Sequence, residues 1–306
     1  MPKAYGFTQY GGSDTQDVLD VPMPVPGAGE LLVAVRAAGV NPVDWKIRQG
    51  YLAEVMPLQF PAVLGQEVAG VVTEVGQDVD GFAVHDEVFG NVAPGSGGYT
   101  EFTLLTAASA ATKPPQLSFT DAAALPVAAG TAYDAIHQLD LREGQSLLIN
   151  GIGGGVGVIA AQLARDEGVF VIGTGSEAKR ELTESLGATL VTYGDGVADR
   201  VREIMPDGVD AILDLVGGDA VRAVAGLVSD PSRLLTTADP SVVDELGGTG
   251  VVRDRSEAVL DAVAQLVVDG KLDPHVGDVV PLEHAADALA GVESGHTRGK
   301  VVISVP

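Results

Sequence analysis

From residue 146 onward, short apolar runs alternate with longer stretches whose apolar positions recur every three to four residues. The runs at 146–149, 169–173, 189–192, 211–215 and 233–237 show little polar alternation, as expected of strands buried on both faces. The stretches at 155–168, 177–186 and 197–204 have helical spacing. Repeated β-α units of this length predict a parallel sheet with helices on both faces. The first third of the chain has a different grain. Runs at 31–38 and 69–75, continued at 81–88 and 98–103, read as strands punctuated by proline and glycine, as in "VPMPVPG" at 21–27. They predict a small barrel-like unit. Ser118-Phe119-Thr120-Asp121 opens an alanine-rich helix that Ser118 or Thr120 caps. Further on come a short strand at 251–252, a helix at 256–270 and a last strand at 300–305. That last strand reads as an edge strand returning to the N-terminal barrel. The expected organisation is therefore a discontinuous domain, 1–120 with 271–306, around an inserted sheet domain, 121–270.

Composition narrows the function. The 306 residues are 46% hydrophobic, enough for a sizeable core, and carry a formal net charge of −24. Such a surface repels a phosphate backbone, so no nucleic acid partner is expected. No apolar run reaches membrane-spanning length, and the opening "MPKAY" lacks a signal-peptide core, so no membrane association and a cytoplasmic location are expected. The absence of cysteine removes disulfides, thiol catalysis and cysteine–zinc sites.

The densest glycine run is "NGIGGGVG" at 150–157. The dinucleotide fingerprint G-x-G-x-x-G does not fit it, because Val156 or Val158 falls where a glycine is required. The spacing Gly151-x-x-Gly154-x-x-Gly157 does fit, between a strand and an apolar helix. A tight turn, a close backbone approach and a helix N-terminus are what a pyrophosphate requires. The alternative is a ligand-free strand-to-helix turn. An NAD site carries an acid at the end of the next strand to hold the ribose 2′-hydroxyl. Here that strand is followed by Thr174-Gly175-Ser176, then Glu177, Lys179 and Arg180. A hydroxyl and two cations suit a 2′-phosphate, which points to NADP(H). Ser176 also suits the cap of the following helix.

The ordered segments "NPVDWKIRQG", "VLGQEVAGVVTEVG", "AALPVAAGTAY", "GIGGGVGVIAAQLA" and "GKVVISV" resemble the medium-chain dehydrogenase/reductase superfamily, in its zinc-free branch of quinone oxidoreductases and enone reductases. The resemblance covers essentially the whole chain. It implies a Rossmann domain inserted in a discontinuous GroES-like barrel domain, NADP(H) as cofactor and a homodimer. It also implies site residues. Asn41 would sit near the nicotinamide and its ribose, and Lys46, where many quinone reductases have tyrosine, would meet the ribose or the substrate oxygen. Thr131 would lie at the nicotinamide end, and Gly154, Gly155 and Val156 at the pyrophosphate. Ser176, Lys179, Arg180 and Tyr193 would surround the 2′-phosphate. Val216 would line the ribose side, Thr237 and Ala238 would meet the nicotinamide amide, and Arg298 and Lys300 would belong to the closing segment. Tyr51 is a candidate for the substrate wall. Asp44 and Trp45 read better as anchor and packing residues.

Zinc-dependent members of the superfamily use Cys and a His in a G-H-E segment. Here that segment is Gly65-Gln66-Glu67, and the five histidines, His85, His137, His275, His284 and His296, are scattered. Without a Lewis acid, an already electrophilic quinone or α,β-unsaturated carbonyl is the expected hydride acceptor. The competing readings are an NADPH-binding sensor with little turnover and an enoyl-thioester reductase.

Overall fold

A computed structural model describes residues 1–295 and 297–306; His296 lies outside the described residues. The chain folds as two compact units, one of residues 1–130, 255–270 and 276–306, the other of residues 131–254 and 271–275. Residues 121–130 and 255–270 thus belong to the first unit, although the sequence assigned 121–270 to the sheet domain. The reason is packing: the helix Glu257–Val268 lies against the strand Phe102–Thr112 and buries Val259, Leu260, Val263 and Ala264.

In the first unit the strands Val276–Pro281, Lys300–Ser304, Glu30–Val40, Glu67–Val75, Glu87–Val92 and Phe102–Thr112 lie side by side in that order. Glu30–Val40 also pairs with Phe102–Thr112, which closes the last four into a barrel. Its core holds Leu31, Val33, Val72 and Val88 from the predicted runs, together with Phe7, Val68 and Leu105 from outside them. The last strand is not an edge. Lys300–Ser304 pairs in parallel with Val276–Pro281 and antiparallel with Glu30–Val40. Its buried pattern from Lys300 to Ile303 records that interior place.

In the second unit Thr189–Thr192, Phe170–Gly175, Ser146–Asn150, Ala211–Asp214, Leu234–Thr236 and Thr249–Gly250 form one parallel sheet in that order. The chain enters at Ser146–Asn150, steps outward on one side, then returns to Ala211–Asp214 on the other. The switch point therefore lies between these two central strands, where open α/β sheets place their ligands. Elements differ from the sequence pattern mostly at their ends. Phe170–Gly175 runs two residues beyond the expected 173, so Thr174 is strand, and Val251 and Val252 follow a strand at Thr249–Gly250 rather than forming one. The expected helix at 177–186 is a 3-10 turn, Glu177–Lys179, continued by the helix Arg180–Ser185. The alanine-rich helix is broken: Phe119–Ala123, capped by Ser118 Oγ accepting from the Asp121 N–H at 3.0 Å, passes through a π turn at Leu125–Ala129 into Gly130–Leu139.

Candidate active site

The three glycines of the loop after Ser146–Asn150 serve three different ends. Gly151 has φ +93°, a left-handed turn that side chains resist. A Cβ on Gly157 would stand 2.5 Å from the Ile152 carbonyl oxygen, so glycine lets the helix seat against the loop. A Cβ on Gly154 would meet only the Gly151 carbonyl oxygen, at 3.9 Å, and otherwise project into open space. The helix Gly155–Asp166 begins there with no side-chain cap. Uncapped first-turn amides beside an open glycine fit a pyrophosphate, since the helix dipole favours an anion at that end.

The cations after the next strand diverge. Lys179 is 7% exposed. Its stem crosses Gly153, and its Nζ donates to the Gly153 carbonyl at 3.3 Å, next to the glycine loop. Arg180 points elsewhere: its guanidinium pairs with Glu177 of the preceding 3-10 turn at 2.5 Å and with Glu184 of its own helix at 3.3 Å. These carboxylates already neutralise it. Ser176 makes no side-chain cap, so its hydroxyl is not committed to the turn that follows. Tyr193 is 65% exposed. Val216 is exposed too, and Thr237 and Ala238 stand in the loop beyond Leu234–Thr236. Arg200, not singled out by the sequence, donates to the carbonyls of Thr192, Tyr193, Gly194 and Asp195 and holds the loop that carries Tyr193. Thr131 accepts a short bond from Arg253, whose Nε also pairs with Asp134 at 2.9 Å. Nothing in the spacing of Arg253 signals this contact, which closes a separation of 122 residues.

In the barrel unit two of the sequence candidates, Asn41 and Lys300, fall into a buried cluster with Glu67. Lys300 is 2% exposed. Its ammonium donates to Glu67 Oε1 at 2.6 Å, Asn41 Oδ1 at 2.8 Å and the Val40 carbonyl at 3.3 Å. Three donors meet three acceptors. Asn41 Nδ2 donates to Glu67 Oε1 at 2.7 Å, and Glu67 Oε2 accepts from the Val127 N–H at 2.7 Å. Lys300 is thus an internal ion-pair residue, and one amide face of Asn41 is taken up by it. Gly39 makes room: a Cβ there would stand 2.1 Å from Glu67 Oε1.

Asn41 also begins the helix Pro42–Gln49, and Asp44 reaches back to accept from its N–H at 2.8 Å. Asp44 Oδ2 accepts a second bond from the Tyr99 hydroxyl at 2.6 Å, while Oδ1 is buried with no hydrogen-bond partner among the described residues. Burial pushes the Asp44 carboxyl up from 3.8 to about 7, against the opposing pull of Tyr99, the Asn41 N–H and Lys300. Burial and the nearby Asp44 hold the Tyr99 hydroxyl well above its ordinary value. Lys46 is half-buried, its ammonium 5.8 Å from the Trp45 ring centroid, and Trp45 meets Tyr51 edge-on at 6.0 Å. Arg298 is exposed.

The family models that match are "Alcohol dehydrogenase GroES-like domain" over residues 27–115 and "Zinc-binding dehydrogenase" over residues 186–303. The second name raises the question of zinc. The chain has no cysteine, Gln66 stands where a histidine ligand would be, and both Glu67 oxygens are engaged by Lys300, Asn41 and Val127. Among the described residues no group of three or more potential ligands converges. The residues present do not fit zinc. Among curated proteins, 2-methylene-furan-3-one reductase of Solanum lycopersicum is 34% identical over 98% of this chain and 78% of its own. The solved quinone oxidoreductase of Coxiella burnetii is 30% identical, with TM-score 0.92 over 100% of this chain and 99% of its own. The mycobacterial protein Rv1454c, solved with NADPH, is 27% identical with TM-score 0.86, over 99% of this chain and 100% of its own.

Proposed function

We propose, from the premise that this chain belongs to the quinone and enone oxidoreductase branch of the medium-chain dehydrogenase/reductase superfamily, that it is a zinc-independent reductase delivering hydride from NADPH to a quinone or an α,β-unsaturated carbonyl. The observation that carries the reading is the open, uncapped glycine loop at Gly154, with Lys179 beside it and no acid at the end of Phe170–Gly175. Bound NADPH supplies the hydride; the remaining work belongs to the chain. The amides of Gly155 and Val156 take the pyrophosphate, and Ser176 and Lys179 take the 2′-phosphate. Tyr193, Val216, Thr131, Thr237 and Ala238 frame the rest of the cofactor. Lys46, a cationic donor on the helix begun by Asn41, is assigned the oxygen of the acceptor. A conjugated acceptor is already electrophilic, so orientation and one donor at that oxygen suffice without a metal. Because Lys300 is fully engaged by Glu67, Asn41 and Val40, it holds Asn41 rather than touching the cofactor. Arg180, neutralised by Glu177 and Glu184, has the lesser share of the phosphate.

No helix of the described residues is long and apolar enough to cross a membrane. We place the protein in the cytoplasm and, by its family resemblance, as a homodimer, whose state sedimentation of the full chain reads. The function is tested by following NADPH fluorescence with quinones, enones and enoyl thioesters in parallel. Turnover with quinones or simple enones is expected. Turnover confined to enoyl thioesters, or NADPH binding with no acceptor reduced, would replace it by one of the competing readings.

A further inference from the structure

Four neighbouring strands of the parallel sheet carry a polar residue at the same level near their C-terminal ends. Asn150 stands opposite Thr174 and Asp214, and Asp214 opposite Thr236. All are buried, Asp214 completely. In a sheet covered on both faces such positions are ordinarily apolar. Here they form one line of hydrogen bonds. The Thr174 hydroxyl donates to Asn150 Oδ1 at 2.6 Å, Asn150 Nδ2 donates to Asp214 Oδ1 at 2.7 Å, and the Thr236 hydroxyl donates to Asp214 Oδ2 at 2.7 Å. The bonds converge on Asp214, which accepts from both sides.

Three of the four members, Thr174, Asp214 and Thr236, also grip the loop beyond a strand. The Gly151 N–H donates to Thr174 Oγ1 at 3.0 Å. The N–H groups of Val216 and Gly217 donate to Asp214, the second at 3.1 Å to Oδ2. The Ala238 N–H donates to Thr236 Oγ1 at 3.0 Å. These are the loops that carry Gly154 to Val156, Val216, and Thr237 with Ala238. We infer that Asp214 is a positioning residue that presets all three cofactor loops through Thr174, Asn150 and Thr236 without touching the cofactor itself. This rests on the proposed NADPH site. Loops shaped before the ligand arrives lose less conformational freedom on binding, and that difference appears as affinity. Buried polar groups near the C-terminal ends of interior strands also have no alternative partner in water, so the network holds one arrangement.

Asp214→Asn tests the inference, because it keeps the volume and turns one acceptor into a donor. Its new amide then opposes Asn150 Nδ2, the Thr236 hydroxyl or the Gly217 N–H. The full-length variant is expected to bind NADPH about tenfold more weakly or worse, the cost of one opposed buried bond. The double variant N150D/D214N exchanges donor and acceptor across the same contact and is expected to recover most of that loss. On ligand-free protein, hydrogen exchange should quicken at 151–157, 215–218 and 237–239, while the strand amides of Leu148, Ile149, Ile212 and Leu213 keep wild-type protection. Unchanged affinity in D214N, or exchange quickened across the whole sheet without rescue by the double variant, would overturn the positioning role. Should D214N fail to fold, T174V removes only the hydroxyl that holds Gly151, and its NADPH affinity and loop exchange decide in the same way. Wild-type protein that does not bind NADPH would sink the proposed function, while the exchange measurement would still decide the positioning role.

Discussion

Lys179 and Arg180 are sequence neighbours with opposite surroundings. Lys179 lays its stem over Gly153 and keeps its ammonium at the glycine loop, whereas Arg180 is held by two nearby carboxylates, Glu177 and Glu184. Lys179→Ala is therefore expected to weaken NADPH binding roughly tenfold or more while leaving NADH nearly unchanged, and Arg180→Ala to change either by less. Fluorescence titration of both nucleotides checks this; an unchanged NADPH affinity in Lys179→Ala removes the residue from the site. Glu67 and Lys300 make a second residue-level case. Both are almost fully buried, so removing one partner strands a charge. Glu67→Gln or Lys300→Met alone is expected to cost about 3–5 kcal/mol, and the two together much less than the sum. Urea unfolding of the two singles and the double measures the coupling, and simple additivity would contradict the ion pair.

At the scale of an element, the helix Pro42–Gln49 depends on a carboxyl that titrates near neutrality. Asp44 binds its proton more tightly in the folded chain than in the unfolded one, because burial raises it from 3.8 to about 7. Its contribution is full below about pH 4 and is lost as the pH rises to about 7, by at most roughly 1.4 kcal/mol per pH unit. Trp45, the single tryptophan, stands beside it in the same helix and reports unfolding there. The stability of wild type minus that of Asp44→Asn should fall across this window. A difference independent of pH would mean that the carboxyl is ionised throughout. The sequence reading of Asp44 as an anchor agrees with its bonds to the Asn41 N–H and Tyr99. Tyr99 itself had no signal, because its partner lies 55 residues away.

For the whole molecule, charge sets the response to solvent. A net charge of −24 repels itself in the folded state, so raising salt from about 10 mM to 1 M is expected to raise the melting temperature. Calorimetry at a series of sodium chloride concentrations reads this, and a flat response would mean that the acids are locally compensated. A chelator is expected to leave NADPH-dependent turnover intact. Loss on chelation with recovery on zinc addition would overturn the metal-independent chemistry.

By itself the sequence determined the β-α order, the division into a barrel and a parallel sheet, and the glycine loop. These follow from apolar periodicity and from glycines at positions that only glycine tolerates, both of which are local. The strand-end position without an acid was legible for the same reason. The tertiary structure decided which polar groups find one another. The Asn41–Glu67–Lys300 cluster spans up to 259 residues of sequence, and the line from Thr174 through Asn150 and Asp214 to Thr236 exists only once four strands are in register. It also decided that Lys300, placed by resemblance in the closing segment near the cofactor, is a buried ion-pair partner, and that its strand lies inside the sheet. A charge far along the chain has no periodicity to announce it; its role is set by the partner that folding brings to within 3 Å.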